Sequence, residues 1–297
     1  MVMSVRNHIR ESAGDHAFNL AVLIFLILFG IVMAVPMIAE LAVSLSSKIA
    51  SQTGTIGLVP VGFTFASWEF MLRNAGLWRS LWISAASTAL VVVISLLLNA
   101  MMAYPLSKRN FAPVKVLMLV VVFTMIFKAP TIPYFLALRG YGLYNSFWAM
   151  VVPQVISAYN LLVMRSFFQS FPAEIEEAAE IDGCGKFRMF FRIVLPSSKA
   201  VIATVGLFYG VGAWNQYATP LMMIQDTALF PLQLKIHQLV NAASGDIAAA
   251  VKVSTANYTN DTLGAAAVIF SMVPVLLIYP FVQKYFAKGA MLGSVKG

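Results

Sequence analysis

Residues 81–104 read LWISAASTALVVVISLLLNAMMAY and contain no Asp, Glu, Lys or Arg. Such a run, wound as a helix at about 1.5 Å per residue, is long enough to cross the hydrocarbon core of a bilayer, which takes about 20 apolar residues. Five further windows have the same character: 17–39, 116–138, 145–164, 200–224 and 262–283. Only the 116–138 window contains a charge, Lys128. Lipid offers no water to unpaired backbone groups, so these windows are expected to be helices. Shorter alternating segments, the mark of a membrane barrel, are not seen.

Composition agrees with this reading. The 297 residues are 60% hydrophobic and 11% charged, against about 25% charged in soluble domains. Mean hydropathy is +0.82. A soluble enzyme, a disordered chain and a nucleic-acid binder are excluded as leading readings. The first window is longer than the apolar region of a cleaved signal and is read as an uncleaved first span. A single cysteine, Cys184, rules out a disulfide framework within the chain and a multi-cysteine metal site. The net charge of +8 therefore reads as topology. With both termini inside, the inner segments hold thirteen of the twenty Lys and Arg residues, the outer segments six, and Lys128 lies in a span. This bias places both termini in the cytoplasm. Residues 1–80 form an N-terminus, first span and outer loop. Residues 81–285 form the membrane core with an inner loop at 165–199. Residues 286–297 form a cytoplasmic tail.

The inner loop includes FPAEIEEAAEIDGCGKFRMFFRIVLPSS, residues 171–198. Ser170 as a cap, Pro172 in the first turn and the acids Glu174, Glu176 and Glu177 mark a helix start. Gly183 suits a left-handed helix end. A second short stretch follows, with Phe187, Phe190, Phe191 and Ile193 as its apolar residues. The expected form is two short helices joined by a glycine turn. One packs on the spans, and the other presents acids and alanines to the cytosol.

Glu177-Ala178-Ala179, three residues, Gly183, nine residues, Ile193, one residue and Leu195-Pro196 reproduce the pattern EAA–x3–G–x9–I–x–LP. Seven specified positions coincide by chance on the order of once in 10⁸ starting points. The pattern resembles the inner loop of permease subunits of bacterial ABC importers, and it falls between the fourth and fifth windows as in that family. The large outer loops and the ending KGAMLGSVKG are similar to the carbohydrate-uptake branch, specifically the smaller maltose-type permease. The resemblance implies an all-α, six-span type I importer fold. It implies that Glu177, Ala178, Ala179, Gly183, Ile193, Leu195 and Pro196 form a coupling helix and its mounting. It also implies a second permease subunit, two ATP-binding subunits that hold ATP and Mg, and an extracytoplasmic solute-binding protein, in a bacterial inner membrane. The tail residues Gly289, Gly293, Lys296 and Gly297 are expected to reach the ATPase, or to be only flexible.

The chain has no phosphate loop of the form GxxxxGK[ST] and no HExxH, so it is expected to bind no ATP and to be a transport subunit rather than an enzyme. Its three histidines lie outside the windows. Pathway candidates are Lys128, which would attract an acidic, uronate-type oligosaccharide, and Trp214, Asn215, Gln216 and Tyr217, an aromatic-and-amide cluster suited to sugar rings. Gly206 and Gly210 read as helix packing. Two alternatives are an ABC permease for another solute class and an ion-coupled carrier. A carrier would usually show acids or histidines in its spans.

Overall fold

The structure is a computed structural model and describes residues 13–108, 110–245 and 257–294. Arg6, Arg10, Arg109, Lys252, Lys296 and Gly297, used above for orientation and for the tail, lie outside them. Every regular element among the described residues is helical. The chain forms two compact units, one of residues up to Met71 with Gly245–Ile269, the other of Leu72–Ser244 with Phe270 onward.

The first unit contains α1 (Ala13–Ser44) and α2 (Lys48–Thr53). Serines hold the turn between them. Ser46 Oγ accepts from the Val61 N–H at 3.0 Å, and Ser44 Oγ accepts from Trp68 Nε1 at 3.2 Å. Thr259 Oγ1 accepts from the Thr262 N–H at 3.1 Å. It thereby caps the helix that opens at Asn260 and satisfies one of its orphan donors.

The second unit is organised on α4 (Ala75–Ser107), which follows the short α3 (Ala66–Arg73). The buried face of α4 runs through Ser80, Ser84, Ser87, Val91, Ser95, Asn99 and Ala103 at spacings of three and four. Small residues at that spacing let neighbouring helices come close. α4 packs chiefly on α7 (Ala158–Gln169) and α11 (Lys199–Trp214). Gly206 and Gly210 of α11 are part of that approach: a Cβ at Gly206 would stand 3.3 Å from Leu96 Cδ1, and one at Gly210 would stand 3.6 Å from Val92 Cγ2.

Among the described residues six uninterrupted spans do not form. Three helices there are long and apolar enough to cross a membrane: Gly14–Ser44, Ala75–Ser107 and Asn260–Pro280. The last belongs to the helix Asn260–Ser294. The 116–138 window is split into α5 (Val114–Ile126) and α6 (Thr131–Gly140). The 145–164 window becomes 3-10 turns at Phe147–Met150 and Val152–Gln154, then α7 after a 44° bend. The 200–224 window divides into α11 and α12 (Ala218–Met223). A proline lies at or beside each break: Pro130, Pro153 and Pro220 lack an N–H, and each takes a cap or first-turn position. Proline alone does not decide it, because Pro36, Pro105, Pro274 and Pro280 lie inside long helices.

The freed backbone at the second break is re-paired by side chains, as lipid requires. Asn99 Nδ2 lies 3.1 Å from Val155 O and 2.8 Å from Tyr209 Oη. The Ser157 N–H donates to the same Tyr209 oxygen at 2.8 Å.

Candidate coupling loop and pathway residues

α7 ends at Gln169, and α8 (Ala173–Ile181) follows within a few residues. Ser170 does not cap α8: its hydroxyl donates back to Phe167 O at 2.8 Å, and Pro172 occupies the cap position without a side-chain bond. The acids Glu174 and Glu176 do stand in the first turn. Gly183 closes the far end at φ +75°. The Gly183 N–H donates to Glu180 O at 3.0 Å and the Cys184 N–H to Ala179 O at 2.9 Å, which satisfies the last carbonyls of the helix. α9 (Lys186–Met189), a single π turn (Phe190–Val194) and α10 (Leu195–Ser197) carry the chain back. An 80° bend after Ser197 then turns it into α11.

The signature residues divide by direction. Glu177, Ala178 and Gly183 are exposed. Ala179 is 7% exposed and faces the chain's own core with Met164, Phe168, Met189 and Phe190. Ile193 and Leu195 pack against that same core, and Pro196 lies just before the bend. Part of the motif is thus a free surface and part is its mounting.

Sequence reasoning missed the groups that fix the mounting. Lys108, just past α4, forms an ion pair with Glu176. Its ammonium also lies 4.6 Å from the centre of the Tyr104 ring. Tyr104 Oη is 3.3 Å from Glu176, and Arg165 Nε donates to Leu106 O at 2.8 Å. Glu180 and Lys186 pair across the glycine turn. On the open side, Ile181 is 87% and Phe187 76% exposed. Phe187, read with Phe190, Phe191 and Ile193 as an apolar residue of the second short helix, thus stands on the open side, while Phe190 is buried.

The pathway candidates separate. Lys128 is exposed in the non-helical link between α5 and α6, away from the others in the chain. Trp214 is buried, and its Nε1 donates to Ser271 O at 3.1 Å, so its polar edge is used in packing. Gln216 Oε1 accepts from Gln154 Nε2 at 2.7 Å. This joins the break of the fourth window to that of the fifth, and it leaves the buried Gln216 Nε2 without a partner. Asn215 and Tyr217 line an open cleft of about 530 Å³ with Gln233, Ile236, His237 and Val240. The last four belong to α13 (Leu232–Gly245). The histidine set aside as lying outside the windows therefore sits beside two of the candidates. Among the described residues no group of three or more His, Cys, Asp or Glu could hold a metal ion.

With this geometry in hand the class is defined. Residues 101–291 match the family described as binding-protein-dependent transport system inner membrane component, and the chain belongs to it. Over 284 residues the chain is 37% identical to the polygalacturonan/rhamnogalacturonan transport system permease protein YtcP of Bacillus subtilis, covering 95% of this chain and 99% of that one. It is 34% identical to the protein LplC of the same organism, covering 97% of each. Among solved structures it superposes with a TM-score of 0.84 on a chain of a bacterial ABC transporter involved in the import of the acidic polysaccharide alginate. That match has 29% identity and covers 93% of this chain and 99% of the other.

Proposed function

We propose that this chain is one of two permease subunits of an ATP-driven importer that takes oligosaccharides, including acidic, uronate-type ones, from an extracytoplasmic binding protein. Partner ATPase subunits bind and hydrolyse the nucleotide. This chain transmits their closure, through α8, into a change of access within the membrane core of 81–285. The polygalacturonan relative and the alginate transporter support the substrate class. The broken windows count as the third, fourth and fifth of six spans, with both termini on the cytoplasmic side.

One observation carries the mechanical part. α8 is a short, glycine-closed helix with an open face of Glu177, Ala178, Ile181 and Gly183, and its other face is fixed to α4 and the π turn through Glu176 and Ala179. A push on such a handle moves α4, α7 and α11 together, because the handle has no slack. The exposed Ile181 and Phe187 supply apolar area for a partner groove. Docking on an ATP-binding subunit would bury them at about 25 cal/mol per Å².

The test is Gly183→Leu. A Cβ at Gly183 meets nothing within 4 Å, so the fold loses only the left-handed strain of about 1–2 kcal/mol. The side chain then stands on the docking face. The variant is expected to insert normally, while uptake and substrate-stimulated ATPase activity disappear. Normal uptake by a membrane-inserted Gly183→Leu protein rejects the assignment. Uptake that persists in ATP-loaded vesicles after the ion gradients are collapsed separates this reading from an ion-coupled carrier.

A further inference from the structure

The fifth window breaks at Asn215–Tyr217, between α11 and α12. Pro220 follows the break in the first turn of α12, and that leaves open what the residues at the break do. Asn215 and Tyr217 are two apart in the chain, and both line the open cleft. Across it, Gln233 and His237 stand four apart on α13, one above the other on a single helix face. The pairs meet one to one. Gln233 Nε2 donates to Asn215 Oδ1 over a long 3.4 Å. Tyr217 Oη and His237 Nε2 lie 3.1 Å apart, with ring centres 4.8 Å apart. Ile236 and Val240 add apolar lining.

We propose that this cleft is a saccharide subsite: a pyranose ring passing along the pathway is held between the break of the fifth span and α13. The proposal rests on the oligosaccharide reading above and adds to it two residues, Gln233 and His237, together with a place.

The chemistry fits a sugar better than a purely apolar or purely charged solute. A pyranose has hydroxyls that both donate and accept, arranged around a ring with apolar C–H faces. Amide and imidazole groups also carry donors and acceptors on one side chain. The second Gln233 N–H, its carbonyl oxygen and His237 Nδ1 have no partner among the described residues. The Tyr217 and His237 rings and the two aliphatic side chains offer surface to the C–H faces. The cleft's volume lies within the range of about 300–1,000 Å³ usual for small-molecule sites. The contact between Gln233 and Asn215 is long enough to be exchanged for a hydroxyl at little cost. A uronate carboxylate finds N–H donors here on Gln233 and a further donor on the Tyr217–His237 pair, with no acid among the lining residues.

The experiment uses the complete importer, both permease subunits with the ATPases and the binding protein, reconstituted in liposomes. Two diazirine-bearing trisaccharides serve as probes, one of galacturonate and one of neutral galactose. After trapping with ATP and vanadate, illumination is expected to label peptides covering residues 215–240. Gln233→Ala combined with His237→Ala should lower that labelling at least fivefold. Gln238→Ala, an exposed α13 residue that does not line the cleft, should label as wild type. If the wild-type importer takes up a probe but the label falls elsewhere, or the double variant labels within twofold of wild type, the subsite is overturned and the proposed function stands. If the wild-type importer takes up neither probe, the oligosaccharide reading fails and the subsite fails with it.

Discussion

The α8 handle and the cleft at Asn215–Tyr217 belong to the same unit but are built differently. The handle is closed by backbone hydrogen bonds at Gly183 and fixed by an ion pair at Glu176. The cleft is closed only by side chains, and one of its two contacts is 3.4 Å long. On the proposed roles, a part that transmits force must not yield, while a part that releases cargo must exchange its contacts. The contrast predicts that substitutions at the handle act on coupling as a whole and that substitutions at the cleft act on one class of solute.

The largest effect is expected at Gly183, and the choice of residue sharpens the comparison. Gly183→Leu should abolish uptake. Gly183→Asn, which tolerates the left-handed conformation better than other side chains with a Cβ, should keep a measurable fraction of it. If Asn and Leu are equally inactive although both insert, the backbone conformation is not what matters, and any atom on that face blocks docking.

Next in size is the mounting. The Glu176 carboxylate is 14% and the Lys108 ammonium side chain 35% exposed. The pair is therefore worth more than a surface ion pair, and its loss should cost about 1 kcal/mol or somewhat more. Lys108→Met is expected to lower transport about fivefold, with binding-protein-stimulated ATP hydrolysis less affected, because the handle still docks but transmits with slack. Exchanging the charges, Lys108→Glu with Glu176→Lys, should restore part of the transport. Equal loss of hydrolysis and transport in Lys108→Met would mean that the pair serves docking and not transmission, and the proposed division of the motif would break.

The two regions were also unequally legible in the sequence. The handle is contiguous: helix start, alanines, glycine stop and the Ile-x-Leu-Pro return all lie within 171–198, so spacing alone displayed it. What spacing could not give was direction. Ala178 and Ala179 are neighbours in the chain, yet one is exposed and the other faces the core. The cleft joins residues near 215 to residues near 235, and His237 looked like a loop residue because α13 is too polar to read as a span. The windows at 17–39, 81–104 and 262–283 form the expected long helices, while the other three are helical only in pieces. A hydropathy window does not distinguish Pro130, Pro153 and Pro220, which stand at breaks, from Pro36, Pro105, Pro274 and Pro280, which long helices accommodate. Trp214 read as a plate for sugar, but its indole N–H is spent on Ser271 O.

A smaller effect is expected between the two regions, at Asn99. Its amide bridges α4, the break at Val155 and Tyr209. Asn99→Leu removes that bridge, while Ser157 keeps its bond to Tyr209. Interhelical hydrogen bonds in bilayers average about 0.6 kcal/mol and reach about 1.7 kcal/mol. Because Asn99 Oδ1 is already buried without a partner, the substitution also removes a cost. The net loss should be at most about 1 kcal/mol, read as a small fall in the thermal midpoint of the purified complex. A loss several times larger would show that the break is held by this one side chain and not by the packing of α4, α7 and α11.

The smallest effect is expected at Lys128, and it is the most selective. Lys128 stands exposed in the link between α5 and α6, a place where irregular backbone is tolerated in a membrane only against protein or a water-filled path. A charge in water attracts a carboxylate a few ångströms away by only about 1 kcal/mol. Lys128→Met should therefore slow uptake of a galacturonate oligomer about two- to fivefold and leave a neutral oligosaccharide unchanged. Comparing both solutes in one vesicle preparation removes differences in insertion and coupling, which act on both alike. Equal rates for the acidic solute in wild type and Lys128→Met would remove Lys128 from the pathway. Acid recognition would then fall to the donors of the cleft, on Gln233 and the Tyr217–His237 pair.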